Sequence, residues 1–355
     1  MRISRRQFVK AMAAMSAASM LAACGGNSGS GSSGGKKALT FQIWDVAQKE
    51  GMEAMCAAYT QQHPEVSIEV QVTSWNEYWT KLEAAATSNQ MPDIFWMHTN
   101  ELLKYADNGM LADCSDIVEK DKFSEISLSN AMGSNGTLYA VPKDKDTVGL
   151  VYNKEMFDAA GVAYPDENWT WDDLVSASEK IYAATGKYGY MAYADDQLGY
   201  WNFVYQAGGY ILNEDKTKAG FTQPATEKAM KFYIGLQQND WCPDQTYFAE
   251  TAPGTAFFSE KGAMFLEGDW NILAELQNYP EMVGKWDVAV LPKCPDPESG
   301  DGRATISNGL CYATAASNKN LDTVKDILKL VYIMKKQLGK KQSMLQNSLN
   351  FLVKL

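Results

Sequence analysis

Histidine is scarce in this sequence, because its 355 residues include only His63 and His98. Two isolated imidazoles argue against histidine-based catalysis and against a histidine-rich metal site. The six cysteines form no C-x-x-C pair, so clustered thiolate ligands are missing as well. We therefore expect neither a metal ion nor another cofactor.

Disulfide pairing is left open by the cysteine count. Five cysteines follow Cys24, and an odd number cannot all pair. Either one or two disulfides form and leave a free thiol, or none form. The five positions are Cys56, Cys114, Cys242, Cys294 and Cys311.

Positive charge is also limited, since the formal net charge is −11. Four basic residues and no acidic residue lie within the first 23 positions, so the remainder carries −15. This acidity argues against nucleic acid or an anionic lipid surface as a partner. Aromatic residues are plentiful instead, with 10 Trp and 18 Tyr.

The N-terminus has the pattern of an export signal. Residues 4–10 read S-R-R-Q-F-V-K, close to the twin-arginine pattern, and a small apolar segment of 13 residues follows. That segment is shorter than the ~20 residues that span a bilayer. It ends in L-A-A-C at Cys24, which resembles a bacterial lipobox. We expect residues 1–23 to be a signal peptide, Cys24 to be lipidated, and residues 24–37, rich in Gly and Ser, to be a flexible linker.

The globular part begins with alternating strand and helix patterns. Strands are predicted at residues 39–44, 67–73 and 92–97, and a helix at 48–62. A second helix is predicted to begin at Ser74, with Glu77 at capping-box distance. This order implies a parallel sheet flanked by helices, whose ligands collect beyond the carboxyl ends of the strands.

Residues 139–154, Y-A-V-P-K-D-K-D-T-V-G-L-V-Y-N-K, form a charged connection between two apolar segments. Pro142 cannot donate to a sheet and so ends the first segment, while residues 147–152 are predicted to form a buried strand. Four consecutive charged residues in such a connection indicate that two units of structure meet there. Ligand sites are common at such junctions.

Several collinear motifs give the chain its family resemblance. They are the strand ending at Trp44, P-D-I-F-W-M at 92–97, the connection just described, N-W-T-W-D-D-L at 168–174, W-N-F-V-Y-Q-A-G-G at 201–209, A-M-F-L-E-G-D-W at 263–270 and I-S-N-G-L-C-Y-A-T-A-A-S at 306–317. Within the fourth motif, Thr170 and Asp173 form a predicted capping box. Over residues 39–330 the sequence resembles the extracellular solute-binding proteins of carbohydrate ABC importers, the group that includes maltose-binding protein.

The resemblance implies an α/β fold of the type II periplasmic-binding-protein kind, with two lobes, a hinge and an interlobe cleft. Lobe 1 is expected at residues 38–142 plus 263–316, and lobe 2 at 143–262 plus 317–355. It also implies a monomeric, non-enzymatic receptor that captures a sugar and delivers it to an ABC permease. The lipid anchor would hold it on the outer face of the cytoplasmic membrane, at a Gram-positive cell surface rather than in a periplasm.

A sugar site needs flat aromatic rings for the C–H faces of the sugar, and carboxylates or amides for its hydroxyls. Trp270, Trp96 and Asp146 match positions that contact ligand in the resembled family. The expected ligand-binding residues are Trp44, Asp45, Trp75, Tyr78, Trp96, Asp146, Tyr200, Trp201, Asp269, Trp270 and Asn308. His98 is expected to be a wall of the cleft. Thr99 and Asn100 follow it in place of an acidic-basic pair of maltose-binding protein, so maltose itself is not implied.

Other functions remain open at this point. A binding protein for another polar solute, such as a polyol, a sugar phosphate or a peptide, is the main alternative. A lipid-anchored glycoside hydrolase could use the acidic pairs Asp144/Asp146 or Asp195/Asp196, although neighbours on a loop rarely flank one glycosidic bond. A metal-transport protein would have only carboxylate or Tyr ligands.

Residues 331–355 depart from the family pattern. From residue 327 onward the sequence has six Lys and no acid, in an otherwise acidic chain. We expect a truncated or frame-shifted end of lobe 2 here, with an ordinary divergent helix as the alternative.

Overall fold

The computed structural model describes residues 36–213 and 217–330. The predicted signal peptide, the lipidation site Cys24, all but the last two residues of the predicted linker, and the atypical segment 331–355 lie outside these residues. Within them the chain forms two α/β lobes, each with its own sheet and its own apolar core.

The first lobe is organised around a five-stranded mixed sheet with the order β2-β1-β3-β9-β4. Its strands are β1 Lys37–Ile43, β2 Val66–Val72, β3 Ile94–His98, β4 Val141–Pro142 and β9 Leu310–Ala313. β1 is parallel to β2 and β3, whereas β9 runs antiparallel between β3 and β4. Every residue of β3 is buried, as expected for a central strand covered on both faces.

The second lobe is organised around the long strand β5 Asp146–Asn153. It pairs antiparallel with β6 Met264–Gly268 and β7 Trp286–Ala289, and its first two residues pair with β8 Ser307–Asn308. Thus β5 starts beside β8 at the crossing between the lobes and continues into the second core.

Helices cover both sheets. In the first lobe they are Lys49–Gln62, Trp75–Thr87, Thr99–Ala106 and Glu125–Ser129, with short 3₁₀ turns at Val46–Gln48 and Lys120–Lys122. In the second lobe they are Lys154–Ala160, Trp171–Thr185, Trp201–Gln206, Pro224–Leu236, Gln245–Glu250, Pro253–Phe258 and Ile272–Asn278, with a π-helical turn at Asp196–Tyr200 and a 3₁₀ turn at Pro280–Met282.

The predicted lobe boundaries are wrong in two places. Residues 263–308 do not return to lobe 1, because Met264–Gly268 and Trp286–Ala289 pair with β5 and pack in the second core. Conversely, Val324 and Ile327 pack in the first core, so the described part of 317–355 belongs to lobe 1. The second crossing therefore lies at Ser307–Asn308 and not at 263–270.

The two predicted capping boxes have different outcomes. Thr170 and Asp173 form the reciprocal bonds of a capping box at the start of Trp171–Thr185. Ser74 is the N-cap residue of Trp75–Thr87, as predicted, but it makes no side-chain capping bond, so the capping box with Glu77 does not form. The Glu77 carboxylate instead accepts from Lys81 at 2.8 Å, one turn further along the same helix.

All five cysteines of the described residues are free thiols and are buried. Of the alternatives left open by the cysteine count, the structure therefore shows the one without disulfides. In the described part of the chain, no helix combines the length and apolar character needed to cross a bilayer.

Candidate functional site

A cavity of about 430 Å³ lies between the two lobes, at the crossing strands. This volume is within the range of about 300–1,000 Å³ that small-molecule sites occupy. The cavity is lined by Trp44, Asp45, Gln48, Trp75, His98, Asp144, Asp146, Asp195, Gln197, Leu198, Trp270, Asn271, Asn308 and Leu310.

Two tryptophans form the wall on the side of the first lobe. Trp44 follows β1 directly, and Trp75 is the first residue of its helix, so both stand at the carboxyl-end edge of the parallel strands. Their rings meet edge to face with centroids 5.1 Å apart, and Trp75 remains 41% exposed. Trp44 is fixed from behind by Tyr78 and Trp96, at 4.9 Å and 5.1 Å.

The opposite wall comes from the turn after β6, where Trp270 and Asn271 line the cavity. Gly268 permits this arrangement, since a Cβ there would lie 2.2 Å from Cζ2 of Trp270. The Glu267 carboxylate accepts from the Asn271 side-chain amide at 2.9 Å. Asp269 is not among the lining residues, and its carboxylate accepts from the backbone N–H of Thr147 at 3.1 Å, which ties the turn to β5.

The floor of the cavity is the crossing itself. Asp146 and Asn308 are register partners in the pairing of β5 with β8. Asp144 accepts from the backbone N–H of Leu310 at 2.8 Å and pairs with the buried ammonium of Lys143. That ammonium also donates to Gln48 and lies 4.5 Å from the Trp96 ring centroid.

A chain of polar side chains connects the lobes across the floor. His98 ends β3 of the first lobe, Asn308 lies on β8, and Gln197 belongs to the turn Asp196–Tyr200 of the second lobe. The Asn308 amide nitrogen donates to the Gln197 side-chain oxygen and lies 3.4 Å from Nε2 of His98. Burial lowers the pKa of His98 to about 4, which keeps its ring neutral at physiological pH.

Two carboxylates at the cavity edge also begin helical turns. Asp45 accepts from the backbone N–H of Ala47 and from the Gln48 side chain, at 2.8 Å and 2.9 Å. Asp195 accepts from the backbone N–H of Leu198 at 2.7 Å. These bonds fix the carboxylates, and each carboxylate oxygen retains capacity to accept further bonds.

Six of the predicted site residues come together around the cavity: Trp44, Asp45, Trp75, Asp146, Trp270 and Asn308. The other five do not line it. Trp96 and Tyr78 are buried in the first core, where the Tyr78 hydroxyl donates to the Trp96 carbonyl at 2.6 Å. Tyr200 packs on the second core, Trp201 starts the following helix, and Asp269 bonds to β5.

Several lining residues were not predicted as ligand contacts, namely Gln48, Asp144, Asp195, Gln197, Leu198, Asn271 and Leu310. Asn271 directly follows the predicted Trp270, and Asp144 lies within the charged connection. Their places in the sequence could therefore have identified these two as lining residues. His98, predicted as a wall of the cleft, does line the cavity.

The arrangement offers ring surfaces from both lobes together with carboxylates, amides and a neutral imidazole. No Lys or Arg lines the cavity among the described residues. The same residues contain no group of three or more His, Cys, Asp or Glu that could hold a metal ion.

Comparison with known proteins gives consistent matches over most of the chain. The sequence profile of bacterial extracellular solute-binding proteins matches residues 44–335. The diacetylchitobiose binding protein DasA of Streptomyces coelicolor is 26% identical over 341 residues, which cover 90% of this chain and 77% of that protein. The lactose-binding protein of Rhizobium radiobacter is 25% identical over 306 residues, or 83% and 70% of the two chains. An ABC substrate-binding protein of Listeria monocytogenes, solved with cycloalternan, superposes with a TM-score of 0.73 at 24% identity, covering 83% of this chain and 75% of that one.

Proposed function

Because this chain belongs to the family of bacterial extracellular solute-binding proteins, we propose that it captures a sugar or oligosaccharide in its interlobe cavity. The observation that carries the proposal is the presence of aromatic rings from both lobes around one cavity rimmed by carboxylates and amides. Relatives that are named for binding diacetylchitobiose and lactose support the same ligand class.

In this proposal Trp44, Trp75 and Trp270 take the apolar faces of the sugar. Asp45, Asp146 and Asn308 bond to its hydroxyls, as predicted from the sequence. Tyr78 and Trp96 support Trp44 from behind, and Asp269 holds the Trp270 turn against β5. Tyr200 and Trp201 shape the second lobe behind the turn that carries Gln197.

The lobes close on the ligand by bending at the two crossings, where Asp146 pairs with Asn308. The closed protein then delivers the sugar to an ABC permease. Lipidated Cys24 holds the receptor, a monomer, at the outer face of the cytoplasmic membrane. Labelling with an alkyne palmitate analogue in cells tests the anchor, since Cys24→Ala removes the label if this proposal is correct.

The test of ligand class is a titration of the protein with diacetylchitobiose, lactose, maltose, cellobiose and raffinose. Tryptophan emission and thermal unfolding are followed, because rings in the cavity respond to the ligand. A ligand at 100-fold its dissociation constant adds about 2.7 kcal/mol to the free energy of unfolding. Trp270→Ala should weaken binding and reduce the emission change, whereas Trp169→Phe, outside the cavity, should preserve both.

The alternative ligand class is another polar solute. A panel of sorbitol, glucose 6-phosphate and a tripeptide distinguishes it, and stabilisation by one of these with no response to saccharides would overturn the sugar proposal. Glucose 6-phosphate is disfavoured since Asp45, Asp144, Asp146 and Asp195 all face the cavity. Release of reducing sugar with turnover would favour the glycoside hydrolase instead.

A further inference from the structure

Glu267 is a buried acid beside the cavity that the sugar proposal leaves without a role. It lies on β6 and is only 5% exposed. Its Oε1 atom accepts from the backbone N–H of Gly268 at 2.8 Å and from the Asn271 side-chain amide at 2.9 Å. Asn271 itself lines the cavity. A buried carboxylate thus holds a cavity residue by a direct hydrogen bond.

This bond determines how the Asn271 carboxamide is presented. The amide group is planar, with its N–H donors on one side and its oxygen on the other. A carboxylate can only accept, so the amide nitrogen of Asn271 must face Glu267 and its oxygen must face away. An oxygen held in this way suits the hydroxyl donors of a sugar.

The surroundings of Glu267 make its charge state sensitive to pH. Among the described residues, the charged groups that act on it are two acids: Glu275 on the helix Ile272–Asn278, and Asp195 at the cavity edge. Both glutamates approach Gly254, because a Cβ there would lie 3.6 Å from Oε2 of Glu267 and 3.1 Å from Oε1 of Glu275. Burial raises the pKa of Glu267 to about 7, and the hydrogen bonds from Asn271 and Gly268 oppose this rise.

We propose that Glu267 is a positioning residue of the binding site, which orients the Asn271 carboxamide toward the ligand and makes ligand affinity depend on its own ionisation. The inference rests on the proposed sugar-binding function. Ionised Glu267 is the stronger acceptor and fixes Asn271 more tightly, whereas protonated Glu267 holds it less well. Affinity therefore rises with pH through the neutral range.

The experiment measures dissociation constants of diacetylchitobiose and lactose by calorimetry at pH 6 and pH 8. The wild type should bind about threefold to tenfold more tightly at pH 8, as the loss of one charge-assisted bond implies. Glu267→Gln keeps a neutral acceptor and cannot ionise, so it should bind about as tightly as the wild type does at pH 6 and show no pH dependence. Glu267→Leu lacks the acceptor and should bind at least about tenfold more weakly at both pH values.

Glu275→Gln serves as the matched control, because it removes one neighbouring acid without touching Asn271. It should keep the pH dependence and move its midpoint to lower pH. A Glu267→Gln variant that retains the wild-type pH profile would overturn the inference, and this holds even if Glu267→Leu fails to fold. Sugar binding by the wild type with no pH dependence would also overturn it while leaving the proposed function intact. Failure of the wild type to bind any saccharide of the panel would overturn both.

Discussion

Gly268 lies directly beneath the ring of Trp270, so close that a methyl group on Gly268 would overlap the indole at 2.2 Å. The ring can face the cavity only because this position has no side chain. The lack of a side chain at Gly268, the last residue of β6, therefore sets the position of the Trp270 ring in the cavity wall.

Gly268→Ala should displace the Trp270 ring and weaken saccharide binding at least tenfold, a loss of roughly 1.4 kcal/mol or more. The measurement is calorimetry with the saccharide panel, together with thermal unfolding. Gly51→Ala is the control, because a Cβ there meets nothing within 4 Å on the helix Lys49–Gln62. It should leave affinity unchanged and stabilise the fold by up to about 1 kcal/mol. Wild-type affinity in Gly268→Ala would show that the ring position does not matter.

The link from Asn308 to Gln197 should contribute to binding more than to folding. Gln197→Ala removes the acceptor that joins β8 to the second lobe, so the lobes should be held less closely and affinity should fall about tenfold. Small-angle scattering should detect a larger radius of gyration for the ligand-free variant.

Gln237→Ala is the matched control for this change, since its amide donates to the Ala192 carbonyl at 2.6 Å inside the second lobe. It should cost about 1 kcal/mol of stability and leave affinity unchanged. Equal affinities for Gln197→Ala and the wild type would contradict a role for the interlobe bond.

The ionisation of Glu267 should also lower the stability of the ligand-free protein at alkaline pH. Its folded-state pKa, about 7, lies above the ordinary value of 4.5 because of burial. The stabilising contribution is therefore complete below pH 4.5 and is lost as the pH rises to about 7.

We compare the free energy of unfolding of Glu267→Gln with that of the wild type at two pH values. Between pH 5 and pH 8 this difference should shift by about 2–3 kcal/mol in favour of the variant. Urea unfolding followed by circular dichroism measures this difference. Glu69→Gln, at an exposed position of β2, is the control for the loss of one acid. A difference for Glu267→Gln that does not change with pH would contradict the raised pKa.

The five buried cysteines should be inert in the folded protein. Burial raises the pKa of Cys56, Cys114 and Cys242 to about 12, so their reactive thiolate forms are rare at neutral pH. A Cys24→Ser protein should not react with Ellman's reagent until it is unfolded, and should then release five equivalents without prior reduction. Fewer than five equivalents would indicate a disulfide.

Local sequence patterns predicted much of the first lobe. The strands around β1, β2 and β3 were found within about two residues of their ends, since apolar alternation or a continuous apolar run shows directly which residues are buried. The same holds for the capping box at Thr170, whose partners are three residues apart. These features depend on neighbours in the sequence.

The assignment of residues 263–308 depended on distant partners, and here the prediction failed. Nothing within A-M-F-L-E-G states that β6 pairs with β5 rather than joining the first sheet. Trp96, near a strand end, and Tyr78, near a helix start, were placed in the site for a related reason. A ring at either place can face the cleft or the core, and tertiary packing places both in the core. Gln197 reaches the cavity through the turn Asp196–Tyr200, which the sequence pattern did not reveal.

The pairing of Asp146 with Asn308 has a consequence for how such proteins diversify. Residues between these two positions build the whole second core, and residues on either side build the first. The second lobe is thus one uninterrupted insert whose ends lie side by side, about 5 Å apart as in any antiparallel pair. A recombination event that replaces this insert has to match only one pair of neighbouring junctions, so one wall of the cavity can be exchanged while the other is inherited unchanged.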